Sequence, residues 1–169
     1  MGLKNGTVTL ENNYDVWKAM FEDEKAKLIS IFKDDTFIIE HVGSTAVKGL
    51  SAKPIVDIAI GLNSFDELNK YKEKLNEIYT IKENLDRGEI LLIKENEEET
   101  FFLIHVMLIN DKRFQNMIKF RDILNNNPDV LTEYENLKQE LADKYPNDRK
   151  IYTKSKNDYI ENTLKNTNN

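Results

Sequence analysis

Gly43 and Ser44 stand at the end of one apolar run, and Asp57 stands alone among apolar residues in the next. A Gly-Ser turn can offer backbone N–H groups and a hydroxyl to a phosphate. A carboxylate nearby can hold the magnesium that travels with that phosphate. The pairing points to a nucleotide site, with Asp57 as the metal ligand. Twelve residues, Thr45 to Val56, separate the two parts. The same residues also suit a plainer reading, a Gly-terminated strand followed by a buried Asp that caps a loop. Nucleotidyl transfer uses two metals to stabilise the attacking and leaving oxygens. Ala59, two residues beyond Asp57 and on the same strand face, stands where a second metal-binding carboxylate would be needed.

The other candidates each carry two readings. His105 lies in an otherwise apolar strand, Phe101 to Ile109. It is either a satisfied buried histidine or a ligand or general base facing Asp57. His41 precedes the turn and can orient it through a hydrogen bond. Glu40, on the opposite strand face from His41, is either a further acid for the site or a locally paired residue. Lys53 is either a solvated loop lysine or a phosphate contact. Arg121 is either a phosphate or substrate ligand or half of a structural ion pair. Adjacent residues diverge on a helix, so Arg121 and Asp122 are not expected to pair. Tyr152, Lys154 and Lys156 either supply a base-stacking ring and basic charge or merely cover surface. No G-x-x-x-x-G-K-[ST] and no G-x-S-x-G occurs in the sequence, which sets aside a P-loop kinase and a serine hydrolase elbow.

Several elements must position these groups. Trp17, Met20, Phe21, Leu28, Ile31 and Phe32 recur at helical spacing, predicting a helix from Tyr14 to about Lys33. Thr36–Val42 reads as a strand stopped by Gly43, with a loop over 43–54. In the strand Ile55–Leu62, Val56, Ile58, Ile60 and Leu62 form one apolar face, and Asp57, Ala59 and Gly61 fall on a small, acidic one. Ser64 and Glu67 match a capping box for a helix Ser64–Tyr79. Strands are expected over 77–84, 87–94 and 99–110, the last apolar on both faces and therefore central. The acidic run Glu95–Glu99 reads as a solvated hairpin tip. Helices follow over Arg113–Asn126, Pro128 to about Lys144, and Arg149–Leu164, with fraying over Asn166–Asn169. The order is that of an α+β protein with a mixed sheet, flanking helices and a helical C-terminal third.

The bulk composition bounds the function. The 169 residues suit one domain, 1–169, with a sheet core over about 8–110 and a helical part over about 112–165. Lys and Arg number 24 against 30 Asp and Glu, a net charge of −6, so non-specific nucleic-acid coating is not expected. With no cysteine there is no disulfide framework and no thiolate metal site. No apolar stretch approaches membrane-spanning length, and the first residues lack a signal-peptide pattern, so the expectation is a cytoplasmic protein without a membrane partner.

A resemblance adds to these readings. His41-Val42-Gly43-Ser44-Thr45-Ala46-Val47, then Gly49-Leu50, then Lys53-Pro54-Ile55-Val56-Asp57-Ile58, resembles the signature of the GrpB family. Tyr14-Asp15 with Trp17 and Phe21, Ile104-His105-Val106, Phe120-Arg121-Asp122, Asn127-Pro128, Tyr134, Leu137-Lys138, Tyr152-Thr153 and Ser155-Lys156 are similar to the family elsewhere along residues 8–160. That family belongs to the nucleotidyltransferase superfamily, with a fold like the catalytic core of polymerase beta. The resemblance implies a nucleoside triphosphate and an unknown acceptor as partners, and Mg2+ as cofactor. It implies Gly43, Ser44, Thr45, Lys53, Arg121 and Lys156 as nucleotide- or phosphate-binding residues. Asp57 and His105 would be catalytic, with Asp57 also the metal ligand. His41, Glu40 and Tyr152 are further candidates. The sequence departs from the superfamily pattern at Ala59, and an imidazole, not an acid, occupies the middle of the late strand. The alternative is therefore a catalytically impaired module that binds a nucleotide or phosphorylated metabolite.

Overall fold

The computed structural model describes residues 2–33 and 37–167. Strand β1 (Leu3–Lys4) opens the chain, followed by helix α1 (Tyr14–Phe32) and strands β2 (Ile38–Val42) and β3 (Val56–Leu62). Two short helices, α2 (Asp66–Asn69) and α3 (Lys72–Asn76), lead to β4 (Thr80–Asn84), β5 (Glu89–Glu95) and β6 (Glu99–Leu108). Four helices close the chain: α4 (Lys112–Asn126), α5 (Pro128–Lys144), α6 (Arg149–Ser155) and α7 (Asn157–Asn166). The strand expected from Thr36 starts in a stretch whose first residue lies outside the described residues, as do Asn168 and Asn169 of the fraying tail.

The sheet order is β2-β3-β6-β5-β4, with β1 added to β6. Among the described residues, only the β3–β6 pair is parallel. The doubly apolar strand β6 is central, because a strand covered on both faces needs apolar residues at odd and even positions alike. The apolar face of β3, at Val56, Ile58, Ile60 and Leu62, is buried against α1 residues such as Trp17, Phe21 and Leu28. The opposite face packs Ala59 with Val42, Met107 and Phe114 of α4. Small residues permit that approach: a Cβ at Gly61 would lie 2.7 Å from the Phe114 ring. The C-terminal helices form a further cluster around Phe120, Leu124, Tyr134 and Leu164, which also covers Val47 and Leu50 of the signature loop.

Two expected helices are broken. The segment 64–79 splits around Lys70 and Tyr71. Tyr71 donates to the Phe32 carbonyl at 2.8 Å and sits edge-on to Phe32 and Phe37, so tertiary packing overrides helical periodicity there. Ser64 accepts from the Asp66 N–H at 3.3 Å, and the N-cap position falls to Phe65, so the expected capping box with Glu67 is not the one formed. The last helix splits at Lys156, whose N–H turns back to the Thr153 carbonyl at 3.4 Å. The short strand β1 gave no periodic signal, since two residues cannot show one.

Candidate functional site

Val42 of β2 pairs with Asp57 of β3, and the chain leaves β2 directly into Gly43 and a 3₁₀ turn, Ser44–Ala46. Gly43 has φ +70°, a region that L side chains rarely adopt. A Cβ there would lie 2.6 Å from Asp57 Oδ2. Glycine therefore lets the turn and the carboxylate approach each other. The N–H groups that open a helical turn have no partner inside it and are available to an anion.

Gly43, Ser44 and Asp57 line one cleft of about 400 Å³, a size usual for small-molecule sites. Lys156 and Tyr134, from the C-terminal helices, line its other side. Asp57 is 30% exposed, so its carboxylate is available to the cleft. The turn and the aspartate thus share a pocket.

Behind Asp57 lies His105. Its Nε2 is 3.6 Å from Asp57 Oδ1, and its Nδ1 is 2.7 Å from Glu89 Oε1. Burial opposes the charged ring, but the interactions with Asp57 and Glu89 outweigh it and raise His105 to about 9. The imidazole is therefore held as a cation between two carboxylates at neutral pH. Its strand position pairs with Ala59 in the β3–β6 register. The place beside Asp57 where a second acid would stand along β3 is thus filled from the adjoining strand, by a group of opposite charge. Ala59 itself is fully buried. Glu89 was missed in the sequence. Only the β5–β6 register, bulged between Lys94 and Glu95, brings the first residue of β5 to His105.

His41 is on the opposite sheet face, stacked on Phe21 with ring centroids 4.7 Å apart. Its Nε2 is 3.0 Å from Thr45 Oγ1. Burial, with a smaller contribution from Arg121, lowers His41 to about 4 and keeps it neutral, though Asp57 acts the other way. It buttresses the turn from beneath. Thr45, expected among the phosphate ligands, has its buried hydroxyl turned to His41 and away from the cleft.

Glu40 and Arg121 are brought together, but with each other. Arg121 Nη1 donates to Glu40 Oε2 at 2.6 Å and to the His41 carbonyl at 2.9 Å. Its Nε donates to Asp122 Oδ1 at 2.9 Å, so the neighbours do pair. Their Cβ atoms diverge, but the long guanidinium arm reaches back. Both Glu40 and Arg121 are thereby structural ties between β2 and α4, and neither lines the cleft.

Three lysines gather on the helical side. Lys156 Nζ lies 4.5 Å from the Tyr152 ring centre, and Lys53 Nζ 5.3 Å from it. Tyr152 is only 1% exposed, so it carries ammonium groups and offers no ring face to a base, contrary to the stacking role considered for it. The Lys154 side chain is exposed. Lys138, fully buried, donates to the Ser51 carbonyl and lies 3.7 Å from Glu135. Burial lowers Lys138 to about 8, with Lys53 adding to the effect and Glu135 opposing it. Burial also lowers Lys156, to about 7, helped by Lys53 and Lys138 and resisted by Asp57. Lys53 is lowered too, by burial first and Arg149 next, against Asp57. Lys156 has no carboxylate within ion-pair distance among the described residues. Lys138 and Tyr134 escaped notice as site residues, because on α5 they read as ordinary helix positions.

Among the described residues, no three His, Asp or Glu side chains are grouped to hold a metal ion. One hard cation would find a single protein carboxylate on the sheet side of the cleft. Asp57 provides a carboxylate at the cleft wall, and a phosphate tail and water would supply the remaining oxygens. This donor set does not fit two cations, because Glu89 is engaged by His105 and position 59 is apolar.

The arrangement defines an α+β protein with a Gly-Ser turn, an aspartate and Lys156 on one cleft, and with Lys53, which does not line it, sharing the Tyr152 ring with Lys156. Residues 7–166 match the GrpB protein family, and the chain belongs to it. It is 36% identical over 170 residues to the glutamate-rich protein GrpB of Alkalihalophilus pseudofirmus, covering 97% of this chain and 98% of that one. It is 29% identical over 152 residues to the UPF0157 protein YqkA of Bacillus subtilis, covering 89% of this chain and 44% of that one. The crystal structure of the conserved protein GrpB from Enterococcus faecalis is similar at a TM-score of 0.85 and 25% identity, covering 94% of this chain and 96% of that one.

Proposed function

We propose that the cleft binds the triphosphate of a magnesium–nucleotide complex and that the protein transfers a nucleoside monophosphate to a hydroxyl, amine or phosphate of an acceptor. The observation that supports this most is that the Gly43-Ser44 turn, the Asp57 carboxylate and Lys156 line one cleft. Besides burial, Lys53 and Lys138 both disfavour the charged form of Lys156, which lacks a carboxylate at ion-pair distance among the described residues. Gathering like charges is unfavourable unless a ligand of opposite charge joins them. Across the cleft from Lys156 are the Gly-Ser turn and the Asp57 carboxylate.

In this reading Gly43 and Ser44 hold phosphate oxygens, and Lys156 and Lys53 take the charge of the β- and γ-phosphates. Asp57 and the phosphates would hold the magnesium, which supplies charge neutralisation when bound. The acceptor atom attacks the α-phosphorus, the bond to the bridging oxygen breaks, and pyrophosphate leaves towards the lysines. The acceptor proton passes to water. His105, held as an imidazolium, stabilises the Asp57 carboxylate electrostatically in place of acting as the general base.

The buried, apolar surroundings of Ala59 favour a second reading, a module that binds a nucleotide or phosphorylated metabolite without turnover. Calorimetric titration with nucleoside triphosphates, with and without magnesium, separates the two. Binding that needs the metal, and loses that need in Asp57→Asn, supports transfer. Metal-independent binding supports the module, and no heat with any nucleotide defeats both.

A further inference from the structure

The cleft extends beyond the phosphate end into a slot between α4 and α7. Its inner walls are apolar, with Met117 and Phe120 on one helix and Ile160 and Leu164 on the other. Asn116, one residue before Met117, and Asn157 and Glu161, one turn apart on α7, also face it. The side chains of these three make no hydrogen bond or ion pair among the described residues. The slot is continuous with Ser44, Asp57 and Lys156. Asn157 immediately follows Lys156, so one helix start presents both the phosphate end and the slot.

A nucleoside attached to the bound phosphates would find an apolar place for its base in this slot. We propose that the slot is the base subsite and that it selects bases bearing an exocyclic amine, namely adenine, cytosine or guanine, over uracil. The inference rests on the triphosphate reading above. Aliphatic walls accept the faces of any flat ring, so they give affinity without selectivity. Selectivity comes from the polar rim. A carboxylate only accepts hydrogen bonds, so Glu161 is satisfied by an amino group. Uracil presents two carbonyl oxygens flanking its single ring N–H, and their lone pairs repel the carboxylate. The carboxamides of Asn116 and Asn157 both donate and accept, and can complete the pairing with an amino-bearing edge. An acid near a polyanion costs binding energy, which makes the amino contact the compensating term at Glu161.

Calorimetry with Mg-ATP, Mg-CTP, Mg-UTP and magnesium tripolyphosphate tests this. Taking the ratio of UTP to ATP dissociation constants removes the general effect of charge near the phosphates. The expected ratio is about ten in the unaltered protein, the size of one discriminating contact. It should fall to about two or less in Glu161→Gln, whose side chain is exposed and whose replacement does not threaten folding. Asn116→Ala should weaken ATP binding about fivefold and leave tripolyphosphate unchanged. A ratio near one in the unaltered protein, with tripolyphosphate still bound, overturns the base subsite and leaves the phosphate reading standing. A ratio that Glu161→Gln leaves unchanged also overturns it. If neither tripolyphosphate nor any nucleotide binds, both readings fall.

Discussion

The protein buries ionisable side chains in two places, and it treats them differently. On the α1 side of the sheet, Glu24 is 1% exposed and accepts from Lys94 at 2.8 and 2.7 Å and from the Tyr79 hydroxyl at 2.7 Å. Lys94 also lies 5.4 Å from the Phe102 ring centre. The exposed Lys27 adds a second ammonium group at 3.5 Å, so the buried carboxylate there has opposite charge beside it. On the cleft side, burial first and then Lys53 and Lys138 lower Lys156, with only Asp57 opposing, and Lys156 has no carboxylate at ion-pair distance among the described residues. A balanced buried pair joins elements of structure. An unbalanced group stores unfavourable energy that a ligand can release. The contrast separates architecture from site more sharply than residue type, since lysines occupy both.

Removing one partner from the balanced cluster should have the largest effect. Glu24→Gln leaves Lys94 with an amide in place of its carboxylate and should cost about 3 kcal/mol, in the range for breaking a buried pair. Urea unfolding at neutral pH would measure it. Tripolyphosphate affinity in the folded fraction should stay within about twofold, because Glu24 is on the far face of the sheet. A mild loss of stability would mean that the α1 cluster is no more than a surface pair.

The unbalanced cluster should respond in the opposite direction. Lys156→Met removes a charge the fold strains to hold, so it should stabilise the protein while weakening tripolyphosphate binding at least tenfold. The pH dependence fixes the sign. Lys156 titrates near 7 when folded, against 10.5 as a free side chain. Between those values the unfolded chain binds more protons, so this group's contribution to stability rises with pH through that window. Lys156→Met should therefore stabilise most below pH 7, by on the order of 2 kcal/mol, and little above pH 10.5. Thermal unfolding at pH 6 and pH 10.5 checks it. Tripolyphosphate affinity should fall as pH rises from 6.5 to 8.5, and Lys156→Arg should flatten that slope. Equal destabilisation at both pH values would mark Lys156 as a packing residue.

These two clusters were unequally legible in the sequence. Alternation along β3 assigned its faces correctly, because burial on one side of a sheet imposes a period of two. The Gly43 turn was legible because it requires a residue free to adopt a positive φ and to sit against a carboxylate. The lysine cluster was only half visible. Lys53 and Lys156 were marked by their motifs, while Lys138 is one polar residue on an amphipathic helix until α5 docks it against Ser51. The kink at Lys156 was hidden because helical periodicity runs through it. Glu89 was hidden for a different reason. Its partnership with His105 depends on strand register, which is set by the hairpin tip and by the bulge between Lys94 and Glu95, features that no local pattern encodes. The Arg121–Asp122 pair was not legible because Cβ directions diverge between helix neighbours, while the guanidinium arm is long enough to reach back.

A smaller test concerns the support beneath the turn. Thr45→Val keeps the shape of a buried side chain and removes the hydroxyl 3.0 Å from His41 Nε2. His41 is neutral at physiological pH and stacked on Phe21, so its ring stays in place and loses one partner. The stability cost should be about 1 kcal/mol, that of one hydrogen bond. If Thr45 only steadies the turn, the phosphate site should survive, with tripolyphosphate binding weakened by about threefold or less. If its hydroxyl reached the ligand directly, binding would fall as far as in Lys156→Met, and the division between a supporting face and a ligand face of the sheet would fail. Comparing the two variants in the same titration sharpens the contrast, because one should lose stability and keep binding while the other does the reverse.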